Sequence, residues 1–289
     1  MLIPMSTIAS DAANAKMIDH WNGEGGRSWL TRRQSWDGVN IITDTLFARA
    51  AVQPGERVVD IGCGTGVTTK ELLGFVGTAG SVLGVDVSGP MLARARENLG
   101  QDPRLTQVQA DATVYPFPAQ SFDLVLSRMG VMFFAEPAKS FANIRLALRR
   151  GGRLTFACWR SLDENPWQAL PTRAIRSVLP KPPPRDPEEP GGFSFGAEAR
   201  VRRILGDAGF ASIALEPVDT ERNLAPNGSL DDAVTAATSA GPAVQLLRDQ
   251  PPELIAAATE AVRRALAPQL RDGRLALAAA AWIVTARNP

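Results

Sequence analysis

From residue 57 onward, short apolar runs alternate with segments whose apolar residues recur every three or four positions. The runs are RVVDIG (57–62), SVLGVDV (81–87), RLTQVQA (104–110), SFDLVLS (121–127) and GRLTFACW (152–159). Short β-rich runs of this kind read as strands. Between them lie GVTTKELLGFV, SGPMLARARENLG and EPAKSFANIRLALRRGG, which carry helical spacing and stop at Gly100 and Gly151. Regular alternation of strand and helix predicts an α/β fold, a parallel sheet with helices on both faces. Ligands then bind beyond the carboxyl ends of the strands. The order continues with a helix at 196–210, a strand at 211–218 and a closing strand at 280–287.

Two stretches break the alternation. Residues 160–195 contain LPKPPPRDPEEPGG, too rich in proline for a helix or a central strand, and read as an exposed loop. Residues 219–278 are mostly helical and alanine-rich. The predicted organisation is a helical lid segment at 1–50, a ligand-binding core at 51–160 and a lid insertion at 161–195. A core helix and strand follow at 196–218, then a helical lid insertion at 219–278 and a final core strand at 279–289. No internal repeat is evident.

Composition narrows the partner. With 31 basic and 30 acidic residues, no net field and no basic tract favour nucleic acid, so a small molecule is expected. The two cysteines, Cys63 and Cys158, lack CxxC spacing, which points away from a disulfide framework or zinc site and toward a reducing compartment. The first 16 residues have no basic region ahead of an apolar one, and the longest apolar run, at 275–286, is too short to span a bilayer. The expectation is a cytoplasmic protein without a membrane span; its oligomeric state is not legible.

The chemistry concentrates in VVDIGCGTGVTT, residues 58–69, where Gly62, Gly64 and Gly66 follow a run closing on Asp60. A dinucleotide fingerprint reads G-x-G-x-x-G and sets a pyrophosphate on the helix N-terminus. Here the spacing is G-x-G-x-G, and Val67 stands where that third glycine would fall. S-adenosylmethionine (SAM) has no phosphate but carries a sulfonium and an ammonium, so a carboxylate near the turn suits it and would be ill placed beside a pyrophosphate. Asp86, 20 residues beyond Gly66, is placed to accept from both ribose hydroxyls, a feature shared by NAD and SAM sites. Asp111, after the third strand, is placed to accept from an adenine amino group, with the Ala112 amide donating to the ring.

With these residues the chain resembles the class I SAM-dependent methyltransferases, in particular the branch of the ubiquinone and menaquinone C-methyltransferases. The resemblance rests on VVDIGCGTG, VLGVDVSGPMLARAR, VQADATVYPFPAQSFDLVLSRMGVMFF and NIRLALRRGGRLTFACW, in that order over about 57–160, and more weakly on RRILGDAGF and AAWIVTARNP. It implies a Rossmann-like sheet of seven strands, the last antiparallel, with SAM across the first three and substrate above the fourth and fifth. The cofactor-binding residues it implies are Asp60, Gly62, Cys63, Gly64, Gly66, Asp86, Val87, Met91, Asp111, Ala112, Ser127 and Arg128, with Met129 beside them at the substrate mouth. No metal is implied, and Cys63 has no catalytic role.

HWNGEGGRSWLTRRQSWDG gathers the only histidine and three tryptophans into the N-terminal segment. Trp21, Gly25 and Trp29 either close over SAM or staple a helix to the core. His20 is a candidate general base, or an exposed histidine without a role. Arg128 is a candidate clamp for an anionic substrate group, or a structural ion pair. GVMFF (130–134) reads as core, with Met132 and Phe133 as possible pocket residues; Tyr115 packs near the adenine region. Trp159, Trp167, Phe193 and Phe195 point to a partly hydrophobic acceptor such as a quinol, phenol, polyketide or lipid-like acid. The expected function is methyl transfer by in-line displacement onto O, N or C. The alternative is a SAM-binding fold without transfer, with a regulatory or cyclisation role.

Overall fold

The apolar runs form the strands expected of them. The structure is a computed structural model that describes residues 9–31, 39–180, 186, 188–239 and 241–289. Strands β1 (Arg57–Ile61), β2 (Ser81–Asp86), β3 (Leu105–Gln109), β4 (Phe122–Arg128), β5 (Leu148–Trp159), β6 (Ala211–Asn223) and β7 (Ala276–Arg287) make one sheet, ordered β3-β2-β1-β4-β5-β7-β6. The pairs among β1 to β5 are parallel, and β7 runs antiparallel to both β5 and β6. Among the described residues the helices are α1 (Ala15–Asn22), α2 (Glu24–Thr31), α3 (Val39–Ala50), α4 (Val67–Val76), α5 (Gly89–Leu99) and α6 (Pro137–Ala147). They continue with α7 (Pro166–Arg176), α8 (Glu198–Asp207), α9 (Leu230–Thr238), α10 (Gly241–Leu247) and α11 (Pro252–Leu266). None of the described helices is long and apolar enough to cross a membrane.

The strand order reverses direction between β1 and β4. Right-handed crossovers therefore place α4 and α5 on one face of the sheet and α6 on the other, and open a crevice at the carboxyl ends of β1 and β4. Val58, Val59, Leu124, Leu126, Leu154 and Phe156 fill the sheet's interior, buried as continuous apolar strands require. Helix α3 lies on the sheet as well, with Ile42, Leu46 and Ala50 in the core, and its Phe47 meets Phe75 of α4 at 5.3 Å. Of residues 1–50, then, α3 is built into the helical layer, while α1 and α2 reach the carboxyl edge of the sheet.

Several boundaries differ from the sequence reading, each for a local reason. The segment read as a helix that stops at Gly151 leaves helical geometry after Ala147, and Leu148 already starts β5 by pairing with Phe122 of β4. Residues 160–195 hold α7, despite Pro171 in its interior. Burial of Trp167, Gln168, Ala169, Thr172 and Ile175 outweighs the hydrogen bond that Pro171 cannot donate. Part of the proline-rich stretch, 181–185 and 187, lies outside the described residues, as do residues 1–8 of the N-terminus and Trp36. Strands β6 and β7 are longer than expected, pairing from Ala211↔Arg287 to Asn223↔Ala276. They run past Trp159↔Ala281, where the pairing of β5 ends, so α9 to α11 are carried on two arms that project from the carboxyl edge. There α7 packs against α10 and α11.

Candidate functional site

The turn after β1 is built on glycines in the left-handed region. Gly62, Gly64 and Gly66 have φ of 68°, 55° and 85°. A Cβ on Gly62 would lie 2.9 Å from the Cα of Gly130, so the turns after β1 and β4 meet backbone to backbone at the switch point. Ser127 Oγ donates to the Ile61 carbonyl at 2.7 Å and holds the two strand ends together. Gly66 caps α4, and Val67, where a dinucleotide fingerprint has its third glycine, is 38% exposed.

Asp60 sits at the end of β1 with no exposed surface. Its Oδ2 accepts from Thr68 Oγ1 at 2.8 Å and Thr69 Oγ1 at 2.7 Å, both in the first turn of α4, while its Oδ1 has no partner among the described residues. Burial pushes its pKa up to about 6 against the lowering effect of the two hydroxyls and of the Arg128 charge. Arg128, at the end of β4, donates to Thr43 Oγ1 of α3 at 3.2 Å; burial lowers its pKa and Asp60 opposes that shift.

A buried, half-satisfied carboxylate weakens the fold it serves. Because its folded pKa lies above the unfolded value of 3.8, the native state binds the extra proton between about pH 4 and 6, and stability falls as pH rises through that window. Asp60→Asn is therefore expected to be more stable than the parent above pH 6, by on the order of 1 to 3 kcal/mol, and to lose that advantage near pH 4. Thermal unfolding of both proteins at pH 4 and 8 checks this. An equal difference at both pH values contradicts it.

Asp86 closes β2. Its Oδ2 accepts from the Gly64 amide and its Oδ1 from the Ser88 amide, both at 2.8 Å, so one carboxylate braces the glycine turn against the start of α5. Burial raises its pKa, and the amides of Ser88, Gly64 and Val87 oppose the rise. Met91 of α5 lies against the turn, its Cε 3.0 Å from where a Gly64 Cβ would stand. Cys63 Sγ points instead at Gly84 of β2, and burial raises its thiol well above the ordinary range. Asp111 is buried after β3, its oxygens accepting from the Thr113 amide at 2.9 Å and from Asn14 of the N-terminal segment. The neighbouring Ala112 carbonyl accepts from Asn143 of α6 at 2.8 Å.

The N-terminal helices cover this edge. Asn22 donates to the Val87 carbonyl at 2.9 Å and accepts from the Gly89 amide at 3.0 Å, and Ser88 Oγ donates to the Trp21 carbonyl at 2.7 Å. Trp21 packs edge-on against Trp29, His20 and Phe133, the last at 5.0 Å. His20 lies over Gly25, where a Cβ would stand 2.2 Å from its Nε2. Burial and the Arg248 charge, from the loop after α10, lower the His20 pKa against the pull of Glu24. The structure thus gathers Asp60, the glycines, Asp86, Asp111, Arg128, Trp21 and His20 along one sheet edge.

Residues 59–156 match the family described as a methyltransferase domain. The ubiquinone/menaquinone biosynthesis C-methyltransferase UbiE of Cronobacter sakazakii is 26% identical over 175 residues, 57% of this chain and 70% of that protein. Aklanonic acid methyltransferase DauC of Streptomyces sp. (strain C5) is 36% identical over 104 residues, 35% of this chain and 47% of its own length. Residues 59–156 thus carry a methyltransferase domain, and the chain is similar to the class I SAM-dependent methyltransferases. Its fold is shared with phosphoethanolamine N-methyltransferase 2 of Haemonchus contortus, at TM-score 0.56 and 18% identity over 97% of this chain and 61% of that one. Several other curated relatives of the methyltransferase are spanned over only 40–56% of their length.

On the side of β4 and β5, aromatic residues line up from the methyltransferase core toward the projecting arms. The Trp159 amide meets Met132 Sδ at 3.4 Å, Trp159 and Trp167 are 5.3 Å apart, and the Arg222 guanidinium lies 4.2 Å over the Trp167 ring. Asn165 holds Trp167 by accepting from its indole at 3.0 Å, and is itself locked to both backbone groups of Ala280. Phe195, expected among lid residues, instead belongs to the core. It is 1% exposed and stacks with Phe141 and Phe156, because the 191–195 segment is strapped down by bonds to the Met132 carbonyl. Sequence reasoning also missed Asn14, Asn22, Thr43 and the Thr68–Thr69 pair. Of these only the threonines, directly after the glycine turn, had a local signal.

Proposed function

We propose that this methyltransferase moves a methyl group from SAM to an O, N or C nucleophile of a small, partly hydrophobic acceptor, and that it does so mainly by positioning. The observation that carries the reading is the fully buried Oδ1 of Asp60 at the switch point, unpartnered among the described residues, with the Arg128 cation across from it. Opposite charges set apart in one crevice suit a zwitterionic amino-acid head: Asp60 for its ammonium, Arg128 for its carboxylate. Gly62, Gly64 and Gly66 let the chain approach the ligand closely. Asp86 takes the ribose hydroxyls, Asp111 and Ala112 the adenine, and Val87 and Met91 flank the nucleoside. When bound, SAM supplies a methyl group made electrophilic by its sulfonium.

The protein's part is to align the acceptor and exclude water, which supplies on the order of 7 to 11 kcal/mol when two reactants are held in line. Trp21, Trp29 and the helices on the β6–β7 arms act as the lid, with Trp159 and Trp167 as an apolar wall for the acceptor. His20, whose lowered pKa keeps it neutral near pH 7, accepts the nucleophile's proton. The test is SAM-dependent release of S-adenosylhomocysteine (SAH) with a panel of phenols, quinols and small polar acceptors. Turnover is expected with the flat, partly apolar compounds, and His20→Gln should lower it roughly 100-fold while leaving SAH affinity within about twofold. Reaction confined to small, strongly polar acceptors, or an unchanged rate in His20→Gln, contradicts the corresponding assignment.

A further inference from the structure

We infer that Asn14 is a positioning residue of the adenine end of the cofactor site, acting through Asp111; the inference rests on the assignment of Asp111 to the adenine. Asn14 is 5% exposed although it stands in an N-terminal segment whose neighbours Ala12, Ala13 and Ala15 are exposed. Its Nδ2 donates to Asp111 Oδ1 at 3.0 Å, to Asp111 Oδ2 at 2.9 Å and to Thr113 Oγ1 at 2.8 Å. Its Oδ1 accepts from the Ala135 amide at 2.9 Å, and Thr113 Oγ1 passes the network on to Ser140 of α6 at 2.7 Å. One side chain thus joins the turn after β3, the stretch after β4 and α6.

The chemistry of the knot is specific. A carboxamide donates to a carboxylate and accepts from a backbone amide at once, and it does so without charge. The Asp111 oxygens also accept from the amides of Asp11 at 3.0 Å and Thr113 at 2.9 Å, so among the described residues the plane of the carboxylate is fixed by neutral donors. The nearby cation, Lys139, pairs with Asp11 and Glu136. Among the described residues no salt bridge is made to Asp111, and uncharged donors set its orientation, which suits recognition of an amino group. A segment that only needed anchoring would be served as well by an apolar contact.

A double-mutant cycle separates positioning from anchoring. Calorimetric titration of SAH is carried out on the parent, Asn14→Ala, Asp111→Ala and the double variant, with thermal unfolding to confirm that each is folded. Asn14→Ser runs through the same cycle should the alanine variant fail to fold. Asn14→Ala is expected to weaken SAH about tenfold in the parent background and less than twofold in the Asp111→Ala background. S-inosylhomocysteine, with an exocyclic carbonyl oxygen in place of the amino group, should be discriminated against by the parent and no longer by Asn14→Ala. An Asn14→Ala effect of equal size in both backgrounds, or unchanged or tighter binding, overturns the inference. Parent-like affinity in Asp111→Ala overturns the adenine assignment itself.

Discussion

Asp86→Ala is expected to lower the affinity for SAH by 100-fold or more. Each hydrogen bond from a ligand hydroxyl to this buried carboxylate contributes about 1.5 to 3 kcal/mol, and every 1.4 kcal/mol is tenfold, so losing two of them suffices. The loss is compounded because Asp86 also braces Gly64 and Ser88, each at 2.8 Å. Asp86→Asn is expected to fare little better. An amide in that place turns an NH2 toward one of two backbone N–H donors and leaves a donor facing a donor. Calorimetry on the parent and both variants decides it; binding within tenfold of the parent in Asp86→Ala would remove the ribose role.

The second large effect is on stability. Gly62→Ala forces a side chain onto a residue with φ 68° and sets its Cβ 2.9 Å from the Gly130 backbone, which cannot rotate away. A left-handed non-glycine residue costs on the order of 1 to 3 kcal/mol, and the clash adds to it. Gly66→Ala has a similar φ, 85°, but its Cβ meets Leu99 Cδ1 at 2.7 Å, the far end of a side chain that can move. The midpoint of thermal unfolding is therefore expected to drop by roughly 5 to 10 °C in Gly62→Ala and clearly less in Gly66→Ala. Equal or reversed losses would show that the two turns do not meet as closely as described.

The parts of this site that were legible in the sequence are those encoded locally. Continuous apolar runs marked β1 to β5, and Ser88 and Gly100 bounded α5 where the periodicity stopped. The glycine spacing and the three carboxylates at strand ends pointed to the sheet edge along which the structure gathers them, because each is read within a few residues. What stayed hidden depends on distant partners. The far end of β6, DTERN, is a charged edge strand, exposed at Asp219 and Glu221 and half-buried elsewhere, with no apolar alternation to betray it. Its partner in β7, ALAAAA, has alanine's helical preference, overridden by pairing across the sheet. Asn14 meets Asp111 across 97 residues, and Phe195 reaches Phe141 only after a bend anchored on Met132. Polar side chains that act by reaching another element have no sequence period to announce them.

The central claim is that the glycine turn, with Asp60 beneath it, holds an adenosyl amino acid and not a pyrophosphate. Calorimetric titration of the purified chain with SAH and, separately, with NAD tests it most directly. Saturable micromolar binding of SAH with no heat from NAD is the result predicted. Binding of NAD, or of neither ligand, would contradict it.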